Sequence, residues 1–471
     1  MFKNAYSLIP ITLPAHASLF FSLPPHTIRA YNNGQMLGAK RSTPSFVNLF
    51  RKKGFATAAF VSLGILDSQY GLDQGFELYE DSFPPDRWYL SAGEVNERVF
   101  PWLEKNKDHR FFLWIHYSDP HEPYAPPSTP EDCRLYLNDQ VVYQTCLQKY
   151  TLNEVQLNLK PGKNELRIEF NSEFNPEPNH FVGRLEKVEF SPIPDQKELS
   201  VDFGRGWFFR HADKVFFFMD KSLISIENRA NLEQVQLTFR GRPLLSNQAN
   251  RICYRREVEY MDSEIGNLWE KLRGLQLFDK TAILLVGDHG EGLGEYLTDN
   301  KDPYFGHIHY LYDIFLKVPL IVRDPSQAQK GIVREELVSL LDVGPTITAM
   351  MGLAPFPHFQ GKDLSSLAKR ENAPLFEETY KPESIRDRFG LLSPPWHLIF
   401  TPQDKKFELF NLGMDPQEMT DLVGQGKDIP AELLALKQKL EDYSREALSG
   451  KEDIKVDEST KEMLRALGYV R

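Results

Sequence analysis

Four runs in this chain are apolar on both faces: Phe55–Val61, Phe111–Ile115, Thr281–Val286 and Val318–Val322. A strand carries such a run when layers cover it on both sides, so these four predict a sheet lying between helices. Helix signals surround them. Thr43 suits an N-cap, Pro44 the first helical position, Phe46, Leu49 and Phe50 a buried stripe, and Gly54 a stop. Ahead of the third run, Val258, Met261, Ile265, Leu268 and Leu272 recur at helical spacing. The pattern reads as an α/β core in two parts, residues 1–129 and 251–370.

Residues 130–250 break that style. Val155–Leu159, Leu166–Phe170, Leu185–Phe190 and Val235–Phe239 alternate apolar and polar positions, with a turn at Pro161–Asn164. Period-two strands joined by short turns predict an antiparallel sandwich inserted into the core, either a glycan binder or a structural brace. Residues 371–471 read as a third, α+β part. Trp396–Phe400 and Phe407–Asn411 form a hairpin, Leu433, Leu436, Leu440 and Tyr443 line a helix, and a polar, mobile tail spans about 447–460.

Composition narrows the function. The chain has 471 residues and a formal net charge of −11, which argues against nucleic acid, whose binding requires basic surface. Residues 1–66 nevertheless contain no acid, while carrying Lys3, Arg29, Lys40, Arg41, Arg51, Lys52 and Lys53. No run of about 18 apolar residues is present, and no signal peptide is visible. Cys133, Cys146 and Cys253 allow one bridge at most and have no metal-type spacing.

Four loops carry the chemistry. Gly287-Asp288-His289-Gly290-Glu291 follows a strand, where open α/β sheets place ligands, and offers an oxygen and an imidazole nitrogen to one cation. The same residues also suit a capped loop. Thr12-Leu-Pro-Ala-His16 can open a helix towards an anion, although a threonine is a poor nucleophile without a metal. His116-Tyr-Ser-Asp119-Pro-His121-Glu-Pro-Tyr124 follows the second run. Gly306-His307-Ile-His309 precedes a packed helix, with His307 the inward candidate. Six of the 12 histidines (His16, His116, His121, His289, His307 and His309) fall in these loops, which suggests an anion-handling metal site.

Together these segments resemble the sulfatase family of the alkaline-phosphatase superfamily. Thr12–Leu19 resembles the nucleophile motif C/S-x-P-S-R in its variant T-L-P-S-H-A-S. Phe55–Val61 with Gly71–Phe76, His116–Tyr124, Gly287–Glu291, Leu311-Tyr312 with Val318–Ile321, Leu341–Thr346, Phe359–Lys362 and Leu467–Val470 resemble further family segments in order. The resemblance implies an alkaline-phosphatase-like, mainly parallel sheet between helices, with the β-sandwich-like insert and a C-terminal α+β subdomain. It puts Thr12 in the nucleophile slot and Asp288 and His289 in metal-ligand slots. His16 stands in place of the motif's arginine, and His121 and His307 fall where the family contacts substrate oxygens and the leaving group. It implies a divalent metal, calcium by family or else zinc, manganese or magnesium, and an anionic ester substrate, carried on a glycan or lipid. A second cation held by His116, Asp119, His121 and His307 is a further reading.

Two departures shape the expectation. Sulfatases of the main type oxidise a Cys or Ser to formylglycine, and Thr12 cannot be converted. This raises phosphate or phosphonate esters beside sulfate esters. The family's first strand, with its metal-binding Asp, has no counterpart among the eleven residues before Thr12, none of them acidic. A truncated or misassigned start is therefore expected, with weak or absent activity. Any signal or anchor would lie upstream, and an extracytoplasmic or cell-envelope location follows. Three readings stand: a metal-dependent hydrolase of sulfate or phosphate esters, a phosphoryl head-group transferase, and a non-catalytic glycan-binding relative.

Overall fold

The computed structural model describes residues 1–37, 43–84, 87–122, 124, 133–144, 153–170, 183–191, 199–203, 207–211, 214–217, 221–243, 247–297, 301, 303–326, 331–365, 373–380, 386–451 and 456–466. Cys146 and Leu467–Val470 lie outside them.

All four apolar runs fall in two sheets. Ala56–Phe60 pairs parallel with Leu78–Glu80 on one side and with Phe111–Ile115 on the other. A four-stranded sheet runs Ile283–Val286, Lys317–Arg323, Phe2–Tyr6, Arg334–Ser339. Lys317–Arg323, the fourth run, is antiparallel to both its neighbours, and Phe2–Tyr6 is parallel to Arg334–Ser339. The central strand Phe2–Tyr6 had no sequence signal. Lys3 and Asn4 hide it, because both side chains reach Glu335 at the sheet's margin.

The two sheets share their covering layers. Phe111, Leu113, Ile115 and Ile283 pack with Val95, Val99 and Leu103 of helix Ala92–Asn106 and Leu268 and Leu272 of helix Asn247–Gly274. Phe112, Trp114, Leu284 and Val286 pack into the opposite cluster around Phe20, Phe46 and Phe76. Alternate residues of a strand face opposite layers, so strands Phe111–Ile115 and Ile283–Val286 run through one helix–sheet–helix sandwich. Among the described residues, the outer edge of each pairs with no strand. Every residue of both strands is only half-buried, whereas Ala56–Phe60, paired on both sides, is buried at four of five positions.

Between the two halves of this core stand two five-stranded antiparallel sheets. Leu135, Leu166, Ile168, Ile224 and Ile226 of one sheet and Val155, Leu157, Val235, Leu237 and Phe239 of the other fill a common core. The C-terminal part is a four-stranded antiparallel meander, Leu375–Thr379 to Lys406–Asn411, with helix Leu434–Ser449 packed on it. None of the described helices is long and apolar enough to cross a membrane.

Two local expectations are corrected. The helix expected from Pro44 begins at Val47, because Phe46 N–H is held by the Phe20 carbonyl and Ser45 Oγ by the Gln74 carbonyl. The stretch 447–460 expected to be a mobile tail instead ends helix Leu434–Ser449, with Ala447 buried, and opens helix Glu458–Ala466, with Thr460 buried.

Candidate active site

Three loops leave the sheets on one edge. Phe2–Tyr6 and Ile283–Val286 are both antiparallel to Lys317–Arg323, so they point the same way. Their carboxyl ends deliver Thr12 and Asp288, and the end of Phe111–Ile115 delivers His116. Such strand ends are where open α/β sheets bind ligands.

Thr12 opens helix Thr12–Phe21, which is buried along its whole length. Its N-terminus is mostly occupied: Leu13 N–H bonds Asn33 Oδ1 and Pro14 has no N–H. The helix therefore positions the Thr12 hydroxyl more than it offers free amides. Thr12 Oγ1 lies 3.1 Å from His289 Nε2, and that nitrogen lies 3.3 Å from Asp288 Oδ2. His16 Nδ1 donates to the Thr12 carbonyl at 2.8 Å and stands 3.7 Å from Asp288 Oδ2. Thr12 and His16 thus meet Asp288 and His289 around one point.

Hydrogen bonding fixes which imidazole nitrogen faces that point. A carbonyl or carboxylate only accepts, so a ring nitrogen facing one carries the proton. His289 Nδ1 faces the Gly290 carbonyl at 2.9 Å, His121 Nδ1 the Glu122 carbonyl at 2.6 Å, and His307 Nδ1 the Glu291 carboxylate at 2.8 Å. With His16, four histidines keep Nδ1 occupied and offer Nε2. Burial pushes His16 down, lowers His116 to about 3, and with His289 nearby holds His307 well below its ordinary value. These rings are neutral at pH 7 and carry lone pairs. Burial alone would raise Asp288, but the imidazoles of His289, His16, His116 and His307 outweigh it and hold the carboxyl at about 2.

His307 packs on His289 in a tilted pair with ring centroids 4.1 Å apart, and His121 meets His307 edge-on at 5.6 Å. His309 instead packs on Tyr304 at 5.1 Å. The proposed second cation set does not assemble. Asp119 is buried, but its oxygens accept from Tyr89 Oη and from Ala92 N–H at the start of helix Ala92–Asn106, and His116 Nδ1 is bonded to Ser62 Oγ at 2.9 Å. Its carboxylate caps a helix. Among the described residues, the His/Asp/Glu/Cys triple whose ligand atoms all lie within 4.8 Å of one another is His289, Glu291 and His307.

Glu291 and Tyr124 were quoted in the sequence motifs without a role. The signal was adjacency: Glu291 lies two residues from His289, and Tyr124 three from His121. Glu291 Oε1 accepts from Tyr124 Oη at 2.5 Å, so Glu291 joins two of the loops. Glycines permit the approach. A Cβ on Gly290 would stand 2.0 Å from the Ile314 carbonyl oxygen, and Gly306 has φ +113.

A divalent cation suits this donor set. Asp288 is an ionised carboxylate, and His289 presents an unprotonated Nε2 to the Thr12 hydroxyl. Oxygen and imidazole donors together suit borderline cations as well as hard ones.

The sulfatase family model matches residues 1–353, and the model described as N-sulphoglucosamine sulphohydrolase, C-terminal, matches residues 304–446. Arylsulfatase K of Bos taurus is 22% identical over 92% of this chain and 73% of its own length. N-acetylglucosamine-6-O-sulfatase of Bacteroides thetaiotaomicron is 19% identical over 90% of this chain and 76% of its own. The solved phosphonate monoester hydrolase of Agrobacterium radiobacter has a TM-score of 0.57 at 16% identity, covering 95% of this chain and 88% of that one. A structure solved with D-glucosamine-2-N,6-O-disulfate scores 0.57 at 15% identity, covering 99% and 90%. The structural likenesses carry the fold.

Proposed function

We propose, because this chain belongs to the sulfatase family, that it hydrolyses sulfate, phosphate or phosphonate esters through a Thr12 nucleophile. The observation that carries the reading is the Thr12 Oγ1–His289 Nε2–Asp288 Oδ2 chain at 3.1 and 3.3 Å. Asp288, His289 and Thr12 would hold the divalent cation. Bound there, it would supply Lewis-acid stabilisation of the alkoxide and of charge developing on the ester.

The residues do the rest. Thr12 Oγ1 attacks sulfur or phosphorus, forming one bond as the ester's bond to its leaving oxygen breaks. The proton that Thr12 loses balances the one the departing oxygen gains. Because His16, His121 and His307 keep Nδ1 occupied, such a proton passes through an Nε2. Water then releases the group from Thr12. Three protein donors hold a cation loosely, so slow turnover is part of this reading. Since threonine cannot become formylglycine, phosphate and phosphonate esters stand beside sulfate esters as substrates, and the relatives' names make a glycan-borne ester a reasonable carrier.

The test is turnover of aryl sulfate, phosphomonoester, phosphodiester and phosphonate monoester with calcium, magnesium, manganese or zinc. At least one pair is expected to react and to lose its activity in Thr12→Ala. Unchanged turnover in that variant removes the nucleophile. A head group found on an added alcohol, in place of free acid, would turn the reading to transfer.

A further inference from the structure

The hairpin behind the site carries a carboxylate that no step above uses. Strands Gly292–Leu297 and Pro303–Gly306 are antiparallel, with Gly292 opposite Gly306. One step beyond that pair, Glu291 and His307 face each other across the same ladder, where opposite side chains meet. Their side chains are 7% and 5% exposed, and His307 Nδ1 to Glu291 Oε2 is 2.8 Å. The second carboxylate oxygen accepts from Tyr124 Oη at 2.5 Å, and Tyr124 is itself 2% exposed. A buried carboxylate persists when its oxygens are bonded, and here both are, each by a group that donates.

We infer that Glu291 is a positioning residue: with Tyr124 behind it, it holds His307 in the Nδ1–H tautomer and in place beside His289, so that Nε2 keeps its lone pair. The inference rests on the catalytic reading above for its consequence, but not for its geometry. Rotating the ring or moving its proton would break the bond to Glu291. The ring also packs on His289, with centroids 4.1 Å apart and planes inclined by 30°. Glu291 also ties together the loops bearing His289, His307 and, through Tyr124, His121. Partners of this kind, one bond removed from the reacting groups, typically cost 10–100-fold in activity when removed.

The test compares Glu291→Leu, Glu291→Gln and Tyr124→Phe in the full chain. Imidazole 15N shifts, assigned with His307→Gln, should show His307 as Nδ1–H in the parent. The proton should leave Nδ1 in Glu291→Leu and stay in Glu291→Gln, whose amide oxygen still accepts. On the ester that turns over, kcat should fall ~10–100-fold in Glu291→Leu with KM within about threefold, recover most of that loss in Glu291→Gln, and fall least in Tyr124→Phe. An Nε2–H tautomer in the parent overturns the inference, as does an unchanged tautomer in Glu291→Leu. Loss of divalent-cation affinity in Glu291→Leu with the tautomer unchanged would make Glu291 a ligand instead. If no ester turns over, the functional reading fails alone, and the tautomer still decides the positioning.

Discussion

Two regions bury histidine in opposite charge states. At the candidate site, the described hydrogen bonds of His16, His121 and His289 tie Nδ1 to a carbonyl, so that Nε2 carries the lone pair. In the C-terminal sheet, His397 is bonded at Nδ1 by Glu418 at 2.5 Å and at Nε2 by Glu377 at 2.8 Å. Burial lowers His16, His116 and His307. Burial works the same way on His397, but the two glutamates outweigh it and hold the ring well above its ordinary value. Desolvation disfavours charge in both places, and only adjacent carboxylates at both nitrogens reverse it. The first arrangement keeps a reactive nitrogen available. The second uses both nitrogens for cohesion, since Glu418 also accepts from Asp313 N–H and so ties the sheet to the loop after His307.

Substitutions should separate the two. Thr12→Ala should reduce kcat at least about a thousandfold, with the unfolding midpoint close to the parent's. A change in stability alone would place Thr12 among structural residues. His397→Leu should do the reverse. It strands two buried carboxylates and should cost about 3–5 kcal/mol in denaturant unfolding, while the folded fraction keeps its turnover. Cation removal should act on the site alone. Saturating a bound divalent ion at about 100 times its Kd should stabilise the fold by ~2.7 kcal/mol, and a chelator should remove that gain together with turnover. A stability gain that persists in Asp288→Ala would move the ion elsewhere.

The smallest effect concerns pH. The unfolded chain's histidines protonate near 6.5, while folded His16, His116 and His307 resist protonation. Their contribution is therefore full above about 6.5 and is lost as pH falls; for His116, held at about 3, the loss reaches ~2 kcal/mol by pH 5. His116→Asn should flatten the acid limb of stability against pH by about that much. His397, raised instead, contributes fully below 6.5 and loses its contribution as pH climbs through its folded value. Its removal should leave the acid limb in place. An acid limb unchanged in His116→Asn would mean that the ring is charged in the folded chain.

Much of this was legible in the residues. Two-sided apolar runs announced the covered sheets, and the period-two stretches announced the sandwich, because burial on two faces or on one imposes those patterns. The four loops were legible because six histidines crowd them. Other features were not. Lys3 and Asn4 conceal a central strand, since polar side chains can reach a sheet's margin while the backbone stays inside. Asp119 has the residue type of a ligand, yet Tyr89 and the start of a helix take its oxygens. Glu291 stood in a motif with nothing to show that its partner lay 16 residues on, across a hairpin.

The chain's order of residues settled by itself which side chains could do chemistry and which segments had to be covered, because polarity and spacing are local properties. The three-dimensional structure alone decided which of those groups meet, which nitrogen each ring presents and whether a buried ring is neutral or charged. Those depend on distances of a few ångströms between atoms brought together from far along the chain.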